Sequence, residues 1–257
     1  MIPAVPWYIE LISLATNLAI AAAVWHILSS AAGRSGLTPA KIRAVRAGSA
    51  IFLGAWLGAA LLLAPAPDSL VGRDQFYLTP LVPLFVVVPI TIVFLATSLS
   101  PAIRHVLAAA SLPEVIGVQV YRTIGVVFLV LLGLEQVPAH FALPAGWGDI
   151  AIGVTAPLVA LAVARGFPAS RALAVSWNVV GLLDLVVAVG MGTGFLAPFL
   201  APDLGARVAP AAAMGVYPMI LVPMFAVPMS VLLHLLALRK LRGDLRLGSR
   251  LVPNAAN

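Results

Sequence analysis

The sequence lacks cysteine altogether and carries very little charge. Without cysteine, disulfides, thiolate metal sites and iron–sulfur ligation are excluded. Charged residues make up 9% of the 257 residues, whereas soluble globular proteins carry about 25%. A chain with so few charges cannot cover itself with a water-facing surface, so lipid is predicted to be its main solvent.

The motifs of several enzyme classes are also missing. There is no Gly-x-Ser-x-Gly motif, no phosphate-binding loop and no dinucleotide fingerprint, so an enzyme is not the favoured class. Lysine is nearly absent as well, because Lys41 and Lys240 are the only two. Both flank apolar runs rather than interrupt them. A retinal pigment, which needs a lysine in the middle of a helix, is therefore excluded.

What the sequence does contain is seven apolar runs, each close to the 20 or so residues that cross a bilayer. They predict an all-α, polytopic membrane helix bundle that forms one transmembrane domain over 1–257. Six helices is the nearest alternative, because the fourth, fifth and sixth runs contain polar residues. A capping box, Ser111 with Glu114, predicts the start of the fourth helix, and Ser170 the N-cap of the sixth. Pro144 and Trp147 indicate the interfacial start of the fifth. The predicted spans are 7–29, 45–65, 78–99, 113–135, 146–165, 171–193 and 212–239.

Lysine and arginine predict the orientation of the bundle. Twelve of them fall in the first, third and fifth loops and after the last helix, whereas only Arg73 and Arg207 fall on the other side. Cytoplasmic segments carry the excess of basic residues, so the N-terminus is predicted outside and the basic tail 240–257 in the cytoplasm. The expected location is a cell membrane, the inner membrane if the source is bacterial. The net charge of +6 follows from this bias and does not indicate nucleic acid.

Asp184 and Arg122 are predicted to lie deep in the membrane. If the sixth helix begins at Arg171, Asp184 lies about 20 Å along it, near the middle of a hydrocarbon core about 30 Å thick. A carboxylate there costs at least about 2.5–3.5 kcal/mol. Arg122 reaches a similar depth from the same side, which predicts an Arg122–Asp184 ion pair supported by Gln119. The alternatives are that Arg122 reaches the headgroups alone, or that the pair is purely structural.

Four further polar residues complete a candidate binding set for a solute or ion. Glu10 and Asn17 share a face of the first helix that must look toward protein or water. Asp149 is predicted in the first turn of the fifth helix, stabilised by the helix dipole or serving as an outward-facing cation or proton site. Asn178 need not share a partner with Asp184, and is expected to bond a neighbouring helix. Together these residues predict a polar pocket open to the outside.

His26 and His234 lie near the cytoplasmic ends of the first and last helices, which are neighbours in a seven-helix ring. Two imidazoles at similar depth could ligate a haem iron or another metal. The alternative is two interfacial histidines bonded to headgroups or backbone, and no metal-binding spacing between histidines favours the first interpretation. No cofactor is therefore predicted, and haem is kept only as the alternative.

The last helix contains Pro-Met pairs every five residues, at 218, 223 and 228. Successive methionines are about 140° apart on a helix, so packing is predicted rather than a metal path. The prolines predict an irregular backbone, which persists at membrane depth only beside protein or a water-filled cavity. Bent helices around a midplane site are typical of transporters.

Two functional classes remain. The favoured one is a transporter or a solute- or ion-binding membrane protein, whose ligand would be a small solute or a proton. The alternative is a redox or assembly subunit that binds haem or quinone, or that packs against the helices of a partner. Besides the lipid bilayer, the partners that fit either class are a second copy of the chain or another subunit of a membrane complex.

Overall fold

The computed structural model describes residues 5–65, 81–196, 199 and 211–243. Every regular element within them is helical, and seven helices are long and apolar enough to cross a membrane. The predicted all-α bundle and its helix count are confirmed. The spans are α1 (Trp7–Arg34), α2 (Pro39–Leu63), α3 (Leu81–Leu99), a fourth span (Leu112–Gly133), α7 (Ala139–Ala164), α8 (Ser170–Gly192) and a seventh span (Val222–Arg242).

The fourth span changes from α-helix to 3-10 helix and back along its length. It consists of α5 (Leu112–Gly117), a 3-10 segment (Val118–Gly125) and α6 (Val126–Gly133), where one helix over 113–135 was predicted. The capping box at its start is confirmed. The Ser111 hydroxyl accepts a hydrogen bond from the amide of Glu114, and the Glu114 carboxylate accepts one from the amide of Ser111. A 3-10 stretch within a helix often marks a functional region or strain.

The seventh span, predicted over 212–239, has the irregular backbone that its prolines predict. A 3-10 turn (Ala212–Gly215) and a π segment (Val222–Ala226) precede α9 (Val227–Arg242). The prolines explain the irregularity, because each removes an amide donor from the helix. Pro228 leaves the carbonyl of Met224 without its helical partner, and the indole of Trp56 donates to that carbonyl at 2.9 Å. The methionines are buried, as packing requires: Met214, Met219, Met224 and Met229.

Two predicted helix starts were too late. The second span begins at Pro39 rather than 45, so the basic residues from Lys41 to Arg46, which were assigned to the first loop, lie in the early turns of α2. The fifth span begins at Ala139 rather than 146 and contains Pro144 within the helix. Pro144 and Trp147 had been interpreted as an interfacial start. Pro144 instead removes one helical hydrogen bond, to the carbonyl four residues before it, and the helix continues through it.

The other helix limits are closer to the prediction. The first span runs on to Arg34, beyond 29. The sixth begins at Ser170 itself, which makes Ala169 the capping residue, and no side chain among the described residues caps it. The predicted Ser170 cap is therefore wrong. The first residues of the third span (78–80), most of the basic tail (244–257), Arg73 and Arg207 lie outside the described residues.

A short helix between the third and fourth spans was not predicted. This helix, α4 (Pro101–Ala109), is held at both ends by basic side chains. Arg104 donates to the carbonyls of Thr97 and Ser98 at the end of α3. From α9, Lys240 donates to the carbonyls of Leu107 and Ala108. Since unpaired carbonyls at helix ends need partners, α4 is fixed to both neighbouring spans.

The described basic residues other than Arg122 lie at one end of the bundle, here called the basic end: Arg34, Lys41, Arg43, Arg46, Arg104, Arg165, Arg171, Arg239, Lys240 and Arg242. The other end, here the opposite end, contains the first turn of α1, the starts of α3 and α7 and the end of α8. Which end faces the cytoplasm stays a prediction. In the middle of the bundle, α7 packs most extensively on the 3-10 segment and on α8.

Replacing Trp56 by Phe should destabilise the protein, because the buried carbonyl of Met224 would lose its donor. A buried unsatisfied group costs about 1–3 kcal/mol. Trp25→Phe is the matched control, since the Trp25 indole also donates to a carbonyl, that of Arg46, but at an exposed position. Thermal unfolding of the detergent-solubilised protein measures both. Equal loss of stability in the two variants would contradict this role for Trp56.

Candidate functional site

The centre of the site is the guanidinium group of Arg122, which is 1% exposed. Its Nε and Nη2 both lie 2.6 Å from Oδ1 of Asp149. Nη2 also donates to Oδ2 of Asp184, which confirms the predicted Arg122–Asp184 ion pair. Nη1 donates to the carbonyl of Gly181 and to Nε2 of His234, both at 3.2 Å. Four hydrogen bonds and a second close contact of Nη2 with Asp149 thus surround the guanidinium group.

Asp149 was predicted to lie in the first turn of the fifth helix, and this prediction is wrong. Because α7 begins at Ala139, Asp149 lies about 15 Å along it. The dipole of the helix N-terminus acts within the first turn, so it does not explain this carboxylate. Its partner is Arg122, on the neighbouring span. The error in the helix start therefore concealed the second carboxylate of the site.

His234 and Asn178 extend the site by a chain of hydrogen bonds. Arg122 has no acceptor, so Nε2 of His234 accepts from it and Nδ1 carries the ring proton. Nδ1 then donates to Oδ1 of Asn178 at 2.9 Å, while Nδ2 of Asn178 donates to the carbonyl of Ala174 at 2.7 Å. His234 and Asn178 are both fully buried. The predicted bond from Asn178 to a neighbouring helix is confirmed, and it links Asn178 to the same centre as Asp184.

We call these five side chains the Arg122 cluster: Arg122, Asp149, Asn178, Asp184 and His234. They come from four of the seven spans. Sequence reasoning had paired two of them and had considered His234 only as a haem or interfacial residue. The number of charged residues at this depth could have revealed more of the cluster, because one arginine faces two aspartates.

The helices can meet at the cluster because glycine stands at the points of contact. A Cβ atom on Gly148 would lie 1.7 Å from Oδ1 of Asp184, and one on Gly181 would lie 2.3 Å from Cε1 of His234. Both distances are shorter than any tolerated contact. Glycine is the residue that allows such close approach, so these two positions are part of the site.

The Arg122 cluster carries an excess of negative charge. One guanidinium faces two carboxylates, and the side chains of Arg122, Asp149 and Asp184 are 2%, 14% and 12% exposed. The tautomer of His234 is neutral. Among the described residues, Arg122 is the only basic partner of either carboxylate. An uncompensated charge in a low-dielectric interior is strongly unfavourable, so the cluster needs one more positive charge.

A cavity of about 60 Å³ reaches the cluster from the opposite end. It extends from Asp149 and Leu185 to Phe141 and Thr193, which lie at that end of α7 and α8. Most of its lining is apolar, and among the described residues Asp149 is the one charged residue that lines it. Of the two carboxylates, Asp149 is therefore the one that an entering ligand would meet.

Glu10 and Asn17 do not join the Arg122 cluster. Glu10 accepts a hydrogen bond from the hydroxyl of Tyr217 at 2.8 Å. Asn17 lines a separate cavity of about 20 Å³, which is large enough for one water molecule. Phe128 and Val222 line both this cavity and that of Asp149, and so stand between them. Glu10 lines neither cavity, so these residues do not form the single polar pocket that was predicted.

Gln119 is fully buried on the 3-10 segment, on the same span as Arg122. Neither its Oε1 nor its Nε2 has a hydrogen-bond partner among the described residues, so its predicted support of Arg122 is not a direct hydrogen bond.

The two candidate haem ligands lie in different environments. His26 is exposed on α1, whereas His234 is enclosed with both ring nitrogens in hydrogen bonds. In the part of the chain that the structure describes, no group of three or more His, Asp or Glu residues could hold a metal ion. The neighbouring ring of His234 is that of Trp177, with centroids 5.3 Å apart.

Seven apolar spans around a buried ionic centre are the architecture of a multi-pass membrane protein. Residues 79–242 match the model of a family described as a domain of unknown function, DUF8737. Since the match covers more than half of the chain, the protein belongs to this family. No curated protein and no solved structure matches it. The matched region contains the whole Arg122 cluster, while Glu10, Asn17 and His26 lie before it.

Arg122→Ala should destabilise the protein by about 3–5 kcal/mol, since it leaves two buried carboxylates without their partner. Arg34→Ala is the control, because the Arg34–Glu114 pair is 47% and 40% exposed and such pairs contribute about 0–1 kcal/mol. The free energy of unfolding in mixed micelles measures both. Similar effects of the two substitutions would show that burial of the Arg122 pairs has no energetic consequence.

Gly148→Ala should displace Asp184, because the new methyl group would overlap Oδ1. Overpacking of this kind costs about 1–3 kcal/mol. Gly133→Ala is the matched control, since a Cβ there would have nothing within 4 Å, and it should be neutral or mildly stabilising. Thermal unfolding compares the two. The role given to Gly148 is wrong if both variants are as stable as the wild type.

Proposed function

We propose that the protein is a transport or solute-binding membrane protein that accepts a small cation at Asp149 from the opposite end of the bundle. The observation that carries this proposal is the sharing of one buried guanidinium by two carboxylates, one of which lines a cavity. A buried carboxylate of this kind, facing a cavity, is a functional feature by default in membrane proteins.

The size of the cavity limits the ligand. Sites for organic molecules have volumes of about 300–1,000 Å³, whereas the cavity at Asp149 has about 60 Å³. One water molecule needs about 10–15 Å³ of such cavity volume. An inorganic monovalent cation with a water molecule therefore fits, and a sugar or amino acid does not.

Asp149 has an oxygen available for such a ligand. Its Oδ1 accepts from Arg122, while its Oδ2 accepts no hydrogen bond from the described residues. Arg122 cannot leave to make room, because Gly181 and His234 hold its other nitrogen. The excess charge of the cluster is then fixed at one, which is balanced by one monovalent cation or one proton.

This charge balance predicts that a cation and a proton exchange at the site. In the absence of a cation, a proton is shared by the coupled carboxylates. When the cation binds Asp149, that proton leaves to solvent, so the net charge of the site does not change. Cation binding should weaken as the pH falls, because protons compete for the same carboxylates. The haem alternative has no comparable support, since both nitrogens of His234 are occupied.

The test is proton release from purified protein in weakly buffered detergent solution when LiCl, NaCl or KCl is added. About one proton per protein is expected with at least one of these salts, and none with choline chloride, whose cation is too large. Asp149→Asn should abolish the release. Glu114→Gln is the control, because Glu114 is an exposed acid paired with Arg34, and it should release as the wild type does.

Two results would contradict the proposal. One is the absence of proton release with all three salts, which would make the Arg122 cluster architectural. The other is unchanged release from Asp149→Asn. If release is found, the same protein in liposomes that contain a trapped pH indicator shows whether the exchanged cation crosses the membrane.

A further inference from the structure

A second region of the bundle has the properties of a binding site and lies apart from the Arg122 cluster. Two adjoining cavities, of about 180 Å³ and 480 Å³, lie between α2 and α3 in the half of the bundle next to the basic end. Residues common to both linings show that they are continuous: Leu28, Phe52, Val93 and Leu107. We call this space the α2–α3 groove. It exists because α2 and α3 barely touch each other in the described part of the chain.

The lining of the groove is apolar along its length and basic near its end. Apart from a few hydroxyl groups, its polar side chains are those of Lys41, in the first turn of α2, and Arg239, in the last turn of α9. No acidic residue among those that the structure describes lines it. Lys41 makes no ion pair with any residue that the structure describes, and Arg239 lies over the ring of Phe94 at 5.7 Å.

The floor of the groove is fixed in place. It is formed by α4, including Ala102, Ile103 and Val106. Because Arg104 and Lys240 tie α4 to the ends of α3 and α9, the groove is present before any occupant arrives. A preformed site loses less free energy on binding than one that must be ordered.

The dimensions match one acyl chain. From Lys41 to Leu53 the groove follows α2 for about 18 Å, compared with about 15 Å for half of a bilayer hydrocarbon core. The larger cavity alone lies within the range of about 300–1,000 Å³ for organic ligands. A chain in the groove would place its headgroup beside Lys41, at the membrane surface.

We propose that the α2–α3 groove binds an anionic phospholipid of the surrounding leaflet, with one acyl chain between α2 and α3 and the phosphate beside Lys41 and Arg239. The unpaired basic groups and the absence of acidic ones select an anionic headgroup over a zwitterionic one. Basic pockets between membrane helices are a recurrent form of lipid recognition. The site does not depend on the function proposed for the Arg122 cluster.

Native mass spectrometry of the purified protein tests this, after delipidation and incubation with equal amounts of phosphatidylglycerol and phosphatidylcholine of identical chains. Wild type should retain phosphatidylglycerol about 30-fold more than phosphatidylcholine, because Lys41 and Arg239 each contribute about one kcal/mol. Lys41→Gln should lower that preference about fivefold. Arg43→Gln is the matched control, since Arg43 is exposed on the same turn of α2 but does not line the groove.

A second pair of variants tests the acyl chain. Gly48 lines the groove, and a Cβ there would have nothing within 4 Å, so Gly48→Leu should fill the space without harming the fold. It is expected to lose most of the retained lipid of both kinds. Gly54→Leu is the control, because Gly54 is exposed on the same helix, equally unobstructed and outside the groove. Thermal unfolding confirms that both variants fold.

Four outcomes would overturn the inference. Equal retention of the two lipids by wild type would remove the headgroup selectivity. Equal effects of Lys41→Gln and Arg43→Gln would show that the selectivity comes from the general surface charge and not from the groove. Full retention by Gly48→Leu, or a lipid-free dimer that Gly48→Leu dissociates, would show that the groove does not hold an acyl chain.

Discussion

The rest of the structure depends on the guanidinium of Arg122, which is enclosed in the middle of the bundle. A lone arginine in that position would cost at least about 2.5–3.5 kcal/mol, so acceptors must surround it. Asp149, Asp184, the carbonyl of Gly181 and His234 supply them. Because these groups come from α7, α8 and α9, satisfying one side chain draws four spans together and requires glycine where they meet.

Much of the fold follows from the sequence, because a lipid solvent imposes a simple rule of length on apolar runs. That rule predicts seven spans, and the capping box at Ser111 places the start of the fourth. It fails where polar or helix-breaking residues lie inside a helix. Lys41 was assigned to a loop although α2 already includes it, and Pro144 was placed at a helix start although α7 continues through it. Composition alone does not separate an interfacial helix turn from a loop.

The site was predicted only in part, for a related reason. Depth along a helix can be calculated once its start is known, and this was enough to pair Arg122 with Asp184. Asp149 was misplaced because the start of α7 was misplaced. His234 could not be assigned, since its contact with Arg122 depends on how the helices are rotated about their axes, which packing decides. Glu10 and Asn17 have suitable depth and chemistry, but Phe128 and Val222 separate Asn17 from Asp149.

The 3-10 segment at 118–125 also determines how the fourth span is wound. Its eight residues rise about 4 Å more than they would in an α-helix. They also turn about 20° more per residue, so that rewinding the segment as an α-helix would rotate α6 by about 160° relative to α5. That rotation would carry Phe128 and Leu131, which are buried, to the lipid side. Because packing holds α6 in this orientation, the 3-10 segment cannot rewind, and Arg122 keeps facing its carboxylates.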